Sequence, residues 1–369
     1  MKKVITLALV AAAFVGCAKS EADFKDAQQI SFMPVSRFDT RAAVTGETYS
    51  ENYPFYVYAN AKSEGETSFN SKFFEKVSFI PDGSNKLGSL QVYKGSPAQY
   101  WPNVNPLVFA GFTQTGNVAS ITPSANDVLT SLSLDGYTQP APTEEVANDF
   151  MYFFADNNGV GYDKNTTCVD PTMKHACSWV TININADEEL VEDRDDQTSG
   201  VQAYWANLQV TEVKFVNLFS TGAVTLTESA ASWNFTNYAE APVVVKASSE
   251  AAMPITTDSE EFADVLNNTI VLPQQPAYLS VTYTYTTPAG VDGFTETKVL
   301  PLCYNGEIRA DGQTDAQWRE SWKAWEPGKH YIYNLTLTAK EIKIAPSSSN
   351  WVTDLNSNDA DDDNIEKPF

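Results

Sequence analysis

Residues 279–286, Leu279-Ser280-Val281-Thr282-Tyr283-Thr284-Tyr285-Thr286, alternate apolar and hydroxyl-bearing side chains without a break. Successive side chains of a strand point to opposite faces, so this run reads as a strand with one apolar face and one hydroxyl-lined face. Pro288, Gly290 and Gly293 then supply turn chemistry, and 295–302 returns as the second arm of a hairpin. The same texture extends outward. Phe55–Tyr58, Leu107–Phe112, Val180–Ile184 and Leu208–Val216 are rich in β-branched or aromatic residues, with Pro, Gly and Asn between them. Strands at intervals of about 8 to 12 residues with little helix point to antiparallel sandwiches, not to a parallel α/β sheet.

Two stretches depart from this texture. Asp258 and Glu261 with Phe262, Val265 and Leu266 read as a short capped helix. Thr314 and Gln317 followed by Trp318, Trp322 and Trp325 read as another, with the three Trp as a core-facing stripe and not a carbohydrate platform. Near the end, apolar residues fall at odd positions in Tyr331, Tyr333, Leu335 and Leu337 but at even ones in Ile342 and Ile344. Within one extended run, that change of phase implies a bulge or bend near Ala339.

Composition limits function. The 369 residues carry 47 Asp and Glu against 24 Lys and Arg, a net charge of −23, which argues against nucleic acid as a partner. A hydrophobic content of 43% with 20 Phe, 17 Tyr and 8 Trp is enough for a real core. With two His and four Cys, a multi-histidine zinc enzyme is hard to build. No GxSxG, HExxH, Walker or Rossmann pattern is present, so neither catalytic residues nor a cofactor nor a metal site is expected. His175 and His330 read as structural residues. The acids at 187–196 and the tail acids Asp359, Asp361, Asp362 and Asp363 read as solvated charge runs. The tail has Asn364 where a calcium loop needs its turn glycine.

The N-terminus, MKKVITLALVAAAFVGC, has Lys2 and Lys3, an apolar run, and Gly16 before Cys17. It reads as a secretory signal with a lipobox, in which acylated Cys17 becomes the new N-terminus and anchors the chain to a membrane. Cys168, Cys177 and Cys303 remain. A bridge between Cys168 and Cys177, closed by a short hairpin, and three buried thiols are both compatible with the spacing.

Taken in order, the lipobox at Cys17, ISF (30–32), TRA (40–42), FYVYA (55–59), YWPNVNPLVFAGF (100–112) and DFMY (149–152) form a pattern. It continues through KHACSWVTINI (174–184), VLP (271–273), the YTYT strand, WEPGKHYIYNLTLT (325–338) and IKIAPSSSNW (342–351). The chain resembles the fimbrillin-like lipoproteins of Bacteroidetes, a family that includes type V pilus subunits. The resemblance implies an all-β fold of two transthyretin-like antiparallel β-sandwich domains. It also implies an assembly role without catalysis. A precursor reaches the outer membrane and is cut after an Arg by a trypsin-like protease. The cut removes a first strand, and a strand from the next subunit fills the groove left behind.

Mapped onto this chain, the resemblance makes Arg41 the cleavage residue, with Arg37 as second choice. Ile30 and Phe32 belong to the removable strand. Ile342, Ile344, Trp351, Val352 and Leu355 are the candidate plugs of the donor strand. The expected division is signal peptide 1–17, tether with removable strand 18–41, first sandwich 42–240, second sandwich 241–356 and acidic tail 357–369. Expected partners are neighbouring pilus subunits, the Arg-specific protease, the outer membrane through the lipid, and a host or bacterial surface ligand. The other function class compatible with the sequence is a monomeric surface lipoprotein that binds glycans or host proteins.

Overall fold

The computed structural model describes residues 28–34, 54–62, 65–66, 68–87, 90–113, 120–123, 129–138, 150–186, 209–238, 243–246, 253–254, 263–274, 278–285, 294–302, 324–337 and 342–350. Within them every regular element is a strand. In chain order the first nine are β1 (Ser31–Phe32), β2 (Phe55–Ala61), β3 (Ser71–Leu87), β4 (Leu90–Ser96), β5 (Leu107–Thr113), β6 (Ser120–Pro123), β7 (Ser131–Thr138), β8 (Met151–Ala155) and β9 (Lys174–His175). Then come β10 (Ser178–Ala186), β11 (Gln209–Val216), β12 (Phe219–Thr227), β13 (Ala231–Tyr238), β14 (Val243–Lys246), β15 (Met253–Pro254), β16 (Ala263–Val271), β17 (Tyr278–Tyr285), β18 (Phe294–Pro301), β19 (Lys329–Leu337) and β20 (Ile342–Asn350).

The first sandwich pairs a seven-stranded sheet, β1-β4-β3-β2-β5-β8-β9, with a four-stranded sheet, β13-β12-β7-β6. The large sheet is buried on both faces, and the alternation along its strands shows how. Phe55, Val57 and Ala59 of β2 join Phe109 of β5 and Phe153 of β8 in one cluster. Tyr58, Phe112 and Tyr152, one residue out of phase, join Leu132, Leu134, Val224 and Leu226 of the small sheet in another. Such close packing needs a strand residue without a side chain at Gly111. A Cβ there would lie 2.4 Å from Phe153 Cε1 and 2.8 Å from the Tyr56 carbonyl oxygen. Gly111→Ala is expected to destabilise this sandwich by about 1–3 kcal/mol, read as a lower denaturant midpoint. An unchanged midpoint would mean that the packing around Gly111 yields to an added methyl group.

The second sandwich packs sheet β16-β10-β19-β20 against sheet β14-β11-β17-β18, with β15 paired to β11. Its core interleaves Val180, Ile182 and Ile184 of β10 with Val213 and Phe215 of β11, Leu279 and Val281 of β17, and Tyr333 and Leu335 of β19. The alternating residues 279–285 lie in β17, whose hairpin partner is β18 in unbroken register from Tyr278↔Pro301 to Tyr285↔Phe294. Glu296 and Lys298 stand opposite the inward-facing Tyr283 and Val281. The Tyr283 hydroxyl donates to Glu296 at 2.6 Å, and Lys298 pairs with the same carboxylate. Charges turned toward the core side discourage a further strand from adding at β18. Among the named strand pairs, β10–β19 alone is parallel; the others are antiparallel.

Two expectations are corrected here. The break expected between 240 and 241 is crossed: β10 and β11 belong to the second sandwich, whereas β12 and β13 return to the first. Val265 and Leu266, expected in a helix, lie in β16, where Leu266 stands opposite Ile182 of β10. Pairing with a central strand outweighs a local helix signal. Residues 258–262 and 314–323, with Trp318 and Trp322, lie outside the described residues. Trp325 is a core residue, 1% exposed, and its indole N–H donates to the Tyr333 hydroxyl at 2.8 Å.

His330 of β19 stacks on Trp179, centroids 3.6 Å apart and planes 8° from parallel. Its Nε2 is 2.9 Å from the Thr181 hydroxyl. Burial pushes its pKa down from 6.5 to about 4. The unfolded chain therefore binds a proton between about pH 6.5 and 4 that the folded chain refuses, so this contribution is complete above pH 6.5 and is lost as pH falls toward 4. Each unit is worth about 1.4 kcal/mol. His330→Phe is expected to flatten the pH dependence of stability in that window by about 2–3 kcal/mol relative to the parent protein. Parallel stability curves for the two proteins would contradict it.

Candidate functional site

β1 is two residues long, yet it occupies the middle of the first core. Antiparallel pairing places Ser31 opposite Lys94 and Phe32 opposite Tyr93 of β4. On its other side the Met33 N–H donates to the Val169 carbonyl at 2.7 Å, and the Val169 N–H donates to the Ser31 carbonyl at 2.9 Å. Val169 leads into β9, the far edge of the same sheet. β1 is thus bonded to β4 on one side and to the segment before β9 on the other. Before it, the Ile30 N–H donates to the Gln99 carbonyl at 2.8 Å and the Trp101 N–H to the Gln28 carbonyl at 3.1 Å. Gln28 Nε2 reaches the Thr166 carbonyl at 2.9 Å, and the Ser31 hydroxyl the Thr167 carbonyl at 3.2 Å.

Ile30 and Phe32 are both 0% exposed. The Phe32 ring meets Phe79 at 4.7 Å, Phe109 at 5.1 Å, Phe153 at 5.8 Å and Phe55 at 5.9 Å between centroids. Three of these contacts are edge-on, the arrangement in which ring quadrupoles attract. Burying the two side chains is worth about 1.5–3 kcal/mol each. Sequence reasoning named Ile30 and Phe32 but missed Phe79, Phe153 and Val169 as the lining of their pocket. The period-two pattern of Val77 and Phe79, and of Met151 and Phe153, was the available signal.

Cys168 lies beside β1, and its pKa is raised chiefly by burial, with the nearby Ser31 hydroxyl opposing the rise. Cys177 is fully buried in the cluster on the other side of the large sheet, with Tyr58 and Phe112. No bridge joins the two: Cys168 lies beside β1, and Cys177 lies in the cluster with Tyr58 and Phe112.

At the other end of the chain, β20 is the edge strand of its sheet, paired only to β19 among the described strands. Ile342 stands opposite Leu337 and Ile344 opposite Leu335. The change of phase between 337 and 342 therefore does not come from a bulge or bend in one strand. Two antiparallel neighbours pair odd residues with even ones. Pro346 sits within β20, opposite Tyr333. An edge strand tolerates a residue that cannot donate a ladder hydrogen bond.

Cys17, Arg37, Arg41, Trp351, Val352, Leu355 and both acidic runs lie outside the described residues. Among the described residues no group of three or more His, Cys, Asp and Glu could hold a metal ion. No helix among them is long and apolar enough to cross a membrane.

The chain is similar to several solved structures over most of its length. A fimbrial protein from Bacteroides vulgatus is 11% identical, covers 88% of this chain and 100% of its own, and superposes with a TM-score of 0.50, a likeness of fold. The tip fimbrial protein Mfa3 from Porphyromonas gingivalis, with C-terminal truncation, is 10% identical over 88% of this chain and 100% of its own, TM-score 0.37. A fimbrial assembly protein from Parabacteroides distasonis is 11% identical over the same shares, TM-score 0.40. No curated protein matches the chain. The model of the fimbrillin-like family matches residues 40–351, most of the sequence and both sandwiches apart from β1, and the chain belongs to that family.

Proposed function

We propose that the protein is a structural subunit, stalk or tip, of a type V pilus on the cell surface. It is exported as a lipoprotein acylated at Cys17, cut after Arg41 with Arg37 as second choice, and joined to its neighbours by donor-strand exchange. The observation that carries the reading is the position of β1. A two-residue strand supplies the central side chain of a core, is bonded on both sides, and lies N-terminal to the Arg pair. Losing it opens a slot with three backbone partners, at Gln99, Val169 and the β4 edge, and an aromatic pocket sized for one large side chain. Unmet backbone groups and exposed apolar surface make filling that slot by another strand strongly favourable. The edge position of β20 supports the same reading, since an edge strand can leave without dividing its sheet.

The test is incubation of the full-length precursor, and of its Arg41→Ala and Arg37→Ala variants, with an Arg-specific protease. The expected result is one discrete N-terminal truncation that fails in Arg41→Ala, followed by a ladder of multimers resistant to detergent. Truncation that leaves a stable monomer would point instead to a lipid-tethered binding protein.

A further inference from the structure

Residues 27–36, AQQISFMPVS, and 339–348, AKEIKIAPSS, align without a gap. Ala27 and Ala339, Ile30 and Ile342, Pro34 and Pro346, and Ser36 and Ser348 are identical pairs, and Phe32 meets Ile344. The first segment contains β1 and the second contains the start of β20. The chain thus carries, near its C-terminus, a copy of the apolar–polar–apolar spacing that fills its own slot.

We propose that the C-terminal strand of a second copy of this chain enters the β1 slot in one register, with Ile342 at the position of Ile30, Ile344 at Phe32 and Pro346 at Pro34. The inference rests on the strand-exchange reading and adds to it the register. Running the way β1 runs, the incoming strand keeps every backbone bond. The Ile342 N–H meets the Gln99 carbonyl, the Ala345 N–H meets the Val169 carbonyl, and the Lys343 carbonyl meets the Val169 N–H, as Ile30, Met33 and Ser31 do now. Pro346 arrives where a proline already stands, so no donor is lost. Lys343 takes the place of Ser31, which is 8% exposed, so its long stem must carry the ammonium out of the slot; Lys94 opposite is held by Asp82 at 2.7 Å.

The segment after β20 does not fit. Its frames would place Trp351 with Thr353, Val352 with Asp354, or Thr353 with Leu355 at the Ile30 and Phe32 positions. Each puts a hydroxyl or a carboxyl at a position that Ile30 or Phe32 fills with no polar atom, inside a cluster of hydrophobic residues. Burying such a group without a partner opposes insertion by an amount comparable to the apolar gain. Trp351, Val352 and Leu355 therefore lie beyond the slot, and the acidic tail follows them outside it.

The native thiol beside Ser31 provides the reporter. In the proposed register residue 343 of the incoming strand lies next to Cys168 of the receiving subunit. Lys343→Cys precursor, cut with an Arg-specific protease and exposed to a mild oxidant, is expected to give a covalent ladder on a non-reducing gel. The ladder should vanish in Lys343→Cys/Cys168→Ser and stay absent in Val352→Cys. Multimers of Lys343→Cys that form without a covalent link from position 343 to Cys168, or a ladder from Val352→Cys, overturn the register while leaving strand exchange standing. No multimers in any variant or in the parent overturns both. As a second measurement, Ile344→Phe restores the ring that Ile344 lacks, and its multimers are expected to need a higher temperature in detergent to dissociate. An unchanged or lower temperature counts against Ile344 in the Phe32 pocket.

Discussion

Phe32→Ala in the uncut precursor is expected to lower the stability of the first sandwich by about 3–5 kcal/mol, the range for emptying a buried phenylalanine site. The four rings around Phe32 belong to β2, β3, β5 and β8, and none can move in without breaking its own pairing with a neighbour. The site should therefore collapse poorly, which favours the upper part of that range. The loss should be local. Hydrogen exchange at β2, β5 and β8 is expected to accelerate, while β10, β17 and β19, which share no cluster with Phe32, keep their protection. Because a destabilised β1 leaves its slot more often, the same variant should form some multimers without any protease. Uniform loss of protection across both sandwiches would show that Phe32 supports the whole molecule and not one exchangeable strand.

Much of this fold was legible in the sequence because its strands alternate cleanly. The run at 279–286 and the returning arm at 295–302 form the expected hairpin, and Ile30 and Phe32 are buried together in one core. What periodicity does not report is which strand pairs with which. β10 and β11 carry the same apolar texture as β5 or β12, and no local feature says that they cross to the second sandwich while β12 and β13 come back. The same limit explains the two misread signals. At 263–271 the residues can serve a helix or a strand, and the open edge of β10 decides between them. Between 337 and 342 a change of phase has two geometric solutions, a bulge or a hairpin, and long-range register with β19 selects the hairpin. Within the site, the plug was readable but its pocket was not. Phe79, Phe109 and Phe153 come from three separate strands and meet only through the pairing of β3, β2, β5 and β8 in one sheet.

The largest effect of all is expected from cutting the chain between β1 and β2 without changing a single side chain. While the backbone between Pro34 and Pro54 is intact, β1 is presented to its slot at an effective concentration of about millimolar, so dilution of the protein does not empty the slot. Cut at Arg41, β1 becomes a separate peptide held by two buried side chains and a few backbone bonds. At about 1 µM protein the loss of the covalent link is then worth roughly a thousandfold in occupancy, about 4 kcal/mol. The melting temperature of the cut protein should therefore fall as it is diluted, whereas that of the uncut precursor stays constant. A synthetic peptide of residues 28–34, Gln28 to Pro34, added in excess should restore the first and, by holding the slot, suppress multimer formation in the same concentration range. The peptide with Phe32→Ala should do neither. A cut protein whose melting temperature ignores dilution would show that β1 stays bound without its link, and proteolysis alone could then not be what opens the slot to a neighbour.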